Sequence, residues 1–496
     1  MRVLLIDLDT LRADHLGCYG YSRNTSPNID RVAAEGVTLT NYYCSNAPCL
    51  PSRSALMSGQ FGFHSGITGH GGTAADRFIQ GPSREFFPEY NFSSLPALFR
   101  QSGCRTALIS PFSERHGAYW FNGGFNEIYN TGKIGNEIVD DVEPVATKWL
   151  NENADSDNWF LYINFWDAHA YYRTPVEYDF PLADDPVNTW IDQETLDRHL
   201  KMVGPRGPLE PGMYNDKIAH GHDGRDLSAS LPRQPGKLLT MADVEKCING
   251  YDCGIRYIDD CLGRLFDILK EKGVWEDLCI IITADHGENF GELGIYSEHA
   301  TADHATCHIP MIIKWNGCRK GVKEHSLHYN LDLLPTLADL LGKEKRPIWD
   351  GESYRNALEG SSFKAREYLV VEQHAHTAQR SVRFGDYLYI RTYHDWYHLF
   401  DRDMLFNLKD DPYEQHNIAG ERPDLVNQAC SLMLDWHDEM MRKHNNRPDP
   451  LWTVIQEGGP LHARGRLPEY IDYLKQTDRE WAIPELTKRH PQEFSS

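Results

Sequence analysis

Through its first half the chain alternates short β-branched runs with helix-like segments, the pattern of a parallel sheet covered by helices on both faces. Val3–Leu8 is the first predicted strand. Ser26-Pro27 then supplies an N-cap and a first-turn proline, Ile29, Val32 and Ala33 fall on one helical face, and Gly36 closes the helix. A second helix is predicted from Ser94 to Gln101, ended by Gly103 and followed by the strand Thr106–Ile109. Trp159–Trp166 reads as a third strand. Ile255, Ile258, Leu262, Leu265, Phe266 and Leu269 recur at helical spacing ahead of a buried strand, Leu278–Thr283.

In open α/β sheets ligands collect beyond the carboxyl ends of the strands, which draws attention to Asp9, His169, Asp285 and His286. The stretch from about Pro181 to Gly236 is rich in Pro, Gly and charge, and reads as a long insertion or lid beside that edge. After roughly Gly360 the pattern changes to short strands (Tyr387–Thr392) and a late helix (Leu425–Lys443). The expected architecture is a large α/β domain, residues 1–360, with a mostly parallel central sheet between helices, and a smaller α+β domain, residues 361–496, that completes the substrate cleft.

The chain carries 72 acidic and 50 basic residues, 72 − 50 = 22 excess negative charges, which argues against nucleic-acid and anionic-membrane partners. An anionic substrate must therefore meet a locally positive pocket. No apolar stretch is long enough to cross a bilayer, and a strand-like run starts almost at Met1 with no leader-like segment before it. The chain as given reads as cytoplasmic, although a secreted or periplasmic chain trimmed of its signal would read the same. Its 11 cysteines are scattered and odd in number, so most are expected as reduced thiols.

The sharpest motif is Cys49-Leu50-Pro51-Ser52-Arg53, continued through Leu56, Ser58 and Gly59. It resembles the signature of the formylglycine-dependent (type I) sulfatases of the alkaline phosphatase superfamily, in which the cysteine is oxidised to formylglycine. Further landmarks follow in that family's order: Asp9 with Cys18-Tyr19-Gly20, Asp167-Ala168-His169, Asp285-His286-Gly287-Glu288, Leu331 to Thr336, Asp350 to Ser353, and Leu408 to Glu414.

The resemblance implies an alkaline-phosphatase-like fold and a sulfuric ester hydrolase acting on a sulfate ester, by analogy on a sulfated carbohydrate or oligosaccharide. It also implies a maturation enzyme that converts Cys49. The chemical reason for such a nucleophile is that a sulfated serine or cysteine would be a stable ester, whereas an aldehyde hydrate attacks sulfur with one hydroxyl and expels sulfate by deprotonating the other. The resemblance assigns Asp9, Asp285 and His286, with the converted Cys49, to one divalent cation, which calcium suits best and manganese or magnesium also fits. It assigns Arg53 to charge stabilisation at the nucleophile and His169 to protonating the leaving alkoxide, with Asp167 at the substrate.

The chain also departs from the family pattern. Thr10 stands where many sulfatases have a second aspartate. Asp7, two residues before Asp9 and on the same strand face, is a competing ligand, and Asp9 is preferred because it lies nearer the strand end. A Gly-Lys-x-His element is replaced by Ser110-Pro111-Phe112-Ser113-Glu114-Arg115-His116, so Arg115 or His116 is expected to take over sulfate binding or proton transfer. His299 occupies a position usually held by lysine. His64 and His70, in the Gly-rich run after the signature, are expected at the substrate entrance, a purely structural loop being the alternative. His220 with His222, His374 with His376, and His304 with His308 have metal-like spacing but no completing ligands, and are expected at the surface or substrate. Two alternatives share these motifs: a phosphonate monoester or phosphodiester hydrolase built on the same site, and a non-catalytic binder of sulfated glycans.

Overall fold

The computed structural model describes residues 1–78, 90–212, 233–443 and 448–494. An eight-stranded sheet runs Val322–Tyr329, Val37–Tyr43, Met311–Lys314, Leu278–Ala284, Arg2–Leu8, Trp159–Phe165, Arg105–Ile109, Glu127–Tyr129 in spatial order. Only Met311–Lys314 runs against the rest. The central strand Arg2–Leu8 pairs with Trp159–Phe165 on one side and Leu278–Ala284 on the other, so Leu-Cys-Ile-Ile-Ile-Thr-Ala is buried throughout. Truncating one of these isoleucines to alanine would cost about 2–5 kcal/mol.

The helix Met241–Glu271 lies on Val139–Asn153 and on Pro27–Glu35. Thr240 begins it with a capping box, its side chain accepting from Asp243 N. At Gly254 the helix passes so close to the segment after Trp159–Phe165 that a Cβ would lie 2.3 Å from the carbonyl oxygen of Asp167. The helix Pro27–Glu35 starts differently from the sequence expectation: Ser26 Oγ accepts from Gly17 N at 2.9 Å instead of capping. Gly36 has an extended backbone, and its small size is needed because a Cβ there would meet the carbonyl oxygen of Ile313 at 2.5 Å.

The C-terminal part forms a second sheet, ordered Asp403–Asn407, Tyr387–His394, Ala378–Phe384, Tyr368–Gln373 and Asn46–Ala47. Its last strand comes from the N-terminal half: Asn46 and Ala47 pair in parallel with Glu372 and Gln373, just ahead of Cys49. The helix Pro423–Lys443 covers this sheet, and Leu369, Val371, Phe384 and Trp436 join the same apolar core as Val3–Ile6. A second apolar cluster, around Trp396, Tyr397, Leu467 and Tyr470, holds the final helices.

In the expected insertion, the described part contains the helix Gln193–His199 and Trp190, whose ring stacks on Tyr413 at 5.0 Å. His220 and His222 lie outside the described residues. No described helix is long and apolar enough to cross a membrane.

Candidate active site

Three adjacent strands deliver the site. Asp285 and His286 follow Leu278–Ala284, Asp9 follows Arg2–Leu8, and His169 follows Trp159–Phe165. Against these strand ends lies the helix Cys49–Ser58, with Cys49 at its first turn. Ser52 Oγ donates to the carbonyl of Asp285 at 2.5 Å, and Asn330 Nδ2 donates to the carbonyl of Ser52 at 3.0 Å. At the far end, the carbonyl of Gly59 accepts from Asp350 N at 2.7 Å and Gly351 N at 3.1 Å. Asp332 in turn accepts from Glu352 N and Tyr329 N. The Leu331–Thr336 and Asp350–Ser353 motifs therefore brace the helix that carries Cys49. Glu414, closing the Leu408–Glu414 motif, accepts from His304 N at 2.7 Å.

Arg53 is fully buried and stands among three carboxylates: Nε donates to Asp7 Oδ2 at 2.7 Å, and Nη1 to Asp9 Oδ2 at 2.8 Å and Asp285 Oδ2 at 2.6 Å. Asp7, the competing ligand in the sequence, also accepts from Tyr162 Oη and holds the guanidinium in place. One guanidinium against three carboxylates leaves the cluster short of positive charge. Burial pushes Asp285 well above the ordinary carboxylate range; Asp9 and Asp7 push it further, and Arg53 opposes.

Asp9 Oδ1 is buried with no hydrogen-bond partner. Ligand atoms of Asp9, Cys49, Asp285 and His286 lie within 4.8 Å of one another. His286 Nδ1 contacts the carbonyl of Gly287 at 2.9 Å, which makes Nδ1 the protonated nitrogen. Its Nε2 lone pair then faces Asp285 Oδ2 at 3.2 Å and Cys49 Sγ at 3.1 Å. A lone pair aimed at a carboxylate oxygen, beside an orphaned carboxylate oxygen, fits a hard divalent cation. Thr10 is not a further ligand: at φ +59° its hydroxyl donates back to the carbonyl of Asp9, and its amide donates to Asp285 Oδ1 at 3.2 Å. Burial, followed by Asp9 and Asp285, pushes the Cys49 thiol well above its usual range.

His169 points Nε2 towards Asp9 Oδ1 at 3.9 Å, while Nδ1 contacts the carbonyl of Ala170. Burial pushes its pKa down; Asp9 pulls it up, and Arg115 and Arg173 push it down again. His299 lies 4.1 Å from the ring of His286 and 5.5 Å from that of His169, its nitrogens facing Glu298 at 3.1 Å and Glu288 at 3.4 Å. His116 has a buried Nε2 without a hydrogen-bond partner and lies 5.0 Å from the ring of His70. Arg115 lies over Trp166 at 5.0 Å, the same indole that Arg53 covers at 5.2 Å.

Several residues are placed differently from the sequence expectation. His64 does not line an entrance: Nδ1 contacts Asp350 Oδ2 at 2.7 Å and Nε2 the carbonyl of Met440 at 3.0 Å, tying the loop to the helix Pro423–Lys443. His70 turns towards the site, its Nε2 3.5 Å from Leu50 N. Asp167 is buried at the start of the helix Val139–Asn153, accepting from Val139 N at 3.2 Å; burial lifts its pKa to about 8. It is a helix-end carboxyl set apart from the Cys49 cluster.

His304 and His308 stack on each other at 4.5 Å in the interior, with His308 Nε2 2.8 Å from the carbonyl of Thr40, so neither is a surface or substrate group. His374 is likewise buried, both ring nitrogens lacking hydrogen-bond partners. His376 does reach the site wall, 5.7 Å from His299 and stacked on His462 at 4.2 Å. His462 and Arg173 were invisible as site residues in the sequence: neither sits in a motif, and only the second sheet and the turn after Ala170 bring them in.

A buried cysteine at a helix start, carboxylates and an imidazole gathered as a cation needs them, and buried donors without partners suit a hydrolase of oxyanion esters. The family model "Sulfatase" matches residues 2–343, and a model for the C-terminal part of N-sulphoglucosamine sulphohydrolase matches residues 291–441. The chain belongs to the sulfatase family of the alkaline phosphatase superfamily and is a sulfuric ester hydrolase. Among its relatives is an N-acetylglucosamine-6-O-sulfatase of Bacteroides thetaiotaomicron, 24% identical and aligned over 92% of this chain and 89% of that protein. The fold matches a solved structure of BT4656 in complex with its substrate D-glucosamine-2-N,6-O-disulfate (TM-score 0.66, 20% identity, 90% of this chain and 99% of that one). It also matches the phosphonate monoester hydrolase of Agrobacterium radiobacter (TM-score 0.64, 18% identity, 88% and 96%).

Proposed function

We propose that this enzyme removes sulfate from a sulfated carbohydrate, with Cys49 converted to formylglycine by a maturation enzyme and one divalent cation, preferentially calcium, at the strand ends. The observation that carries the reading is the convergence of Cys49, Asp9, Asp285 and His286 within 4.8 Å at the first turn of the signature helix. The relative named for N-acetylglucosamine 6-sulfate supports the sugar substrate.

Asp9, Asp285 and His286, with the converted residue 49, would hold the cation, which supplies polarisation of a sulfate oxygen. The hydrated aldehyde supplies a nucleophile that clears itself by releasing sulfate. The remaining work falls to side chains of this chain. Arg53, pinned by Asp7, keeps Nη2 unpaired and buried, available to developing negative charge beside residue 49. His169 keeps its Nδ1 proton on the carbonyl of Ala170, so it serves as the acid only as the imidazolium, which burial opposes and Asp9 favours, and then passes the Nε2 proton to the leaving oxygen. His116 and Arg115 bind the sulfate in place of the absent lysine and histidine, and His299, set between Glu298 and Glu288, donates to a sulfate oxygen.

Residues 361–496 act as the smaller domain that completes the cleft, a reading supported by the approach of His376 and His462 to His299 and His70. Turnover of an aryl sulfate against an aryl phosphonate ester tests the choice of ester. A larger kcat/KM for the sulfate is expected, and a preference for the phosphonate would move the assignment to the phosphonate hydrolases.

A further inference from the structure

Two arginines close to the His169 side of the cleft lack the partners that cations in such a place require. Among the described residues, Arg115 donates to the carbonyl oxygens of Ile134 and Gly135, both at 3.4 Å, and lies over the face of Trp166. Arg173, four residues beyond His169, has a buried Nη1 with no hydrogen-bond partner. Neither forms an ion pair with a carboxylate among the described residues, whereas Arg12, Arg53, Arg206, Arg380 and Arg479 all do.

The two guanidiniums feel each other: burial first, and Arg115 second, pull Arg173 down to about 10. The nearest acids do not cancel them. Asp167 accepts from Val139 N, Glu137 accepts from Thr131 Oγ1 and Lys133 N, and although each keeps one buried oxygen unpaired, neither forms an ion pair with Arg115 or Arg173. Like charges held near each other are costly, and an anion bound between them removes that cost.

We propose that Arg173, together with Arg115, forms a subsite for a second anionic group of the substrate, a carboxylate or a further sulfate on the sugar that is released. The inference rests on the sulfatase reading above. Its direction follows from His169, whose Nε2 is to meet the leaving oxygen: Arg173 lies four residues beyond it, and Trp166, under Arg115, lies 6.1 Å from its ring, so both arginines stand on the alcohol side of the ester. The enzyme would then act on multiply charged sugars in preference to singly sulfated ones. Arg115 serves both places, at the edge of the cleaved sulfate and at the second anion, while Arg173 serves only the second.

The test uses the full-length mature enzyme and two readouts. The first is the ratio of kcat/KM for glucosamine 2-N,6-O-disulfate to that for N-acetylglucosamine 6-sulfate, in wild type, Arg173→Ala and Arg173→Lys. A wild-type ratio above one that falls on the order of 30-fold in Arg173→Ala, with part retained by Arg173→Lys, is expected for loss of a charge-assisted contact. A ratio that does not change, because both substrates lose equally or neither loses, overturns the proposal. The second readout is calorimetric binding of two sugars without the cleavable ester, glucosamine 2-N-sulfate and a uronate. Binding of either by wild type and its loss in Arg173→Ala support the subsite and say which anion fills it; binding of neither by wild type overturns it. Aryl sulfate turnover by the same preparation reports separately on the sulfatase reading.

Discussion

Cys49 Sγ lies 3.1 Å from Nε2 of His286, and the Nδ1 contact of that histidine to the carbonyl of Gly287 leaves the facing nitrogen as a lone pair. Residue 49 and the imidazole proposed to hold the cation are thus neighbours. The consequences can be measured one by one.

Removing the cation should inactivate the enzyme and destabilise it together, because Asp7, Asp9 and Asp285 otherwise share one guanidinium. At about 100-fold saturation a bound ion stabilises by roughly 3 kcal/mol. Chelation is therefore expected to lower Tm and abolish turnover, with calcium restoring both. Asp9→Asn should retain less than one equivalent of metal by elemental analysis.

Arg53→Ala leaves three buried carboxylates without their cation and should cost about 3–5 kcal/mol. Arg53→Lys keeps the charge but cannot span Asp7, Asp9 and Asp285 at once. It is expected to fold with a reduced Tm and a kcat at least tenfold lower. A lysine variant with wild-type kcat would contradict the role given to the guanidinium fork.

His64→Ala separates a brace from a substrate contact. Losing the link between Asp350 and the carbonyl of Met440 should cost about 1–3 kcal/mol. KM should stay near the wild-type value. A raised KM with unchanged Tm would return His64 to the substrate entrance.

Acid should loosen the C-terminal helices. Burial alone would raise the pKa of Asp395, but His490 at 2.8 Å and Arg489 at 3.0 Å hold it at about 2. A carboxylate depressed in the folded state gives stability that is complete above its unfolded pKa, about 3.9, and lost as pH falls towards 2. The contribution is about 2–3 kcal/mol. Asp395→Asn should flatten the stability–pH curve between about pH 4 and 2, followed by thermal unfolding or limited proteolysis.

The parts of the site that a reader of the sequence can find are those carried by contiguous motifs at strand ends: Asp9, Cys49, Asp285 and His286, with Arg53 one helical turn beyond the cysteine. Asp7 illustrates the limit. Strand alternation correctly puts it on the face of Asp9, yet its part in holding Arg53 depends on a helix meeting a strand far from it in sequence. His64 and His70 belong to one Gly-rich run, and nothing local says that one ring turns inward to Asp350 while the other turns to Leu50. His376 and His462 arrive from the second sheet and the segment behind it, and Arg173 matters because of the partner it lacks. Periodicity marked the strands Val3–Leu8, Thr106–Ile109, Trp159–Trp166 and Leu278–Thr283 and the helices around Ile255–Leu269 and Leu425–Lys443, but not the strands Val37–Tyr43 and Val322–Tyr329 or the helix Val139–Asn153. The crossing of Asn46–Ala47 into the second sheet was not, since a two-residue strand leaves no periodic trace.

The most direct test of the account is peptide mass spectrometry across Cys49 in protein from a host with the maturation enzyme, paired with aryl sulfate turnover. The account predicts that residue 49 is present as the aldehyde, that turnover follows the converted fraction, and that Cys49→Ala has none. Unmodified Cys49 in protein that turns over sulfate esters at full rate, or converted protein that turns over none, would contradict it.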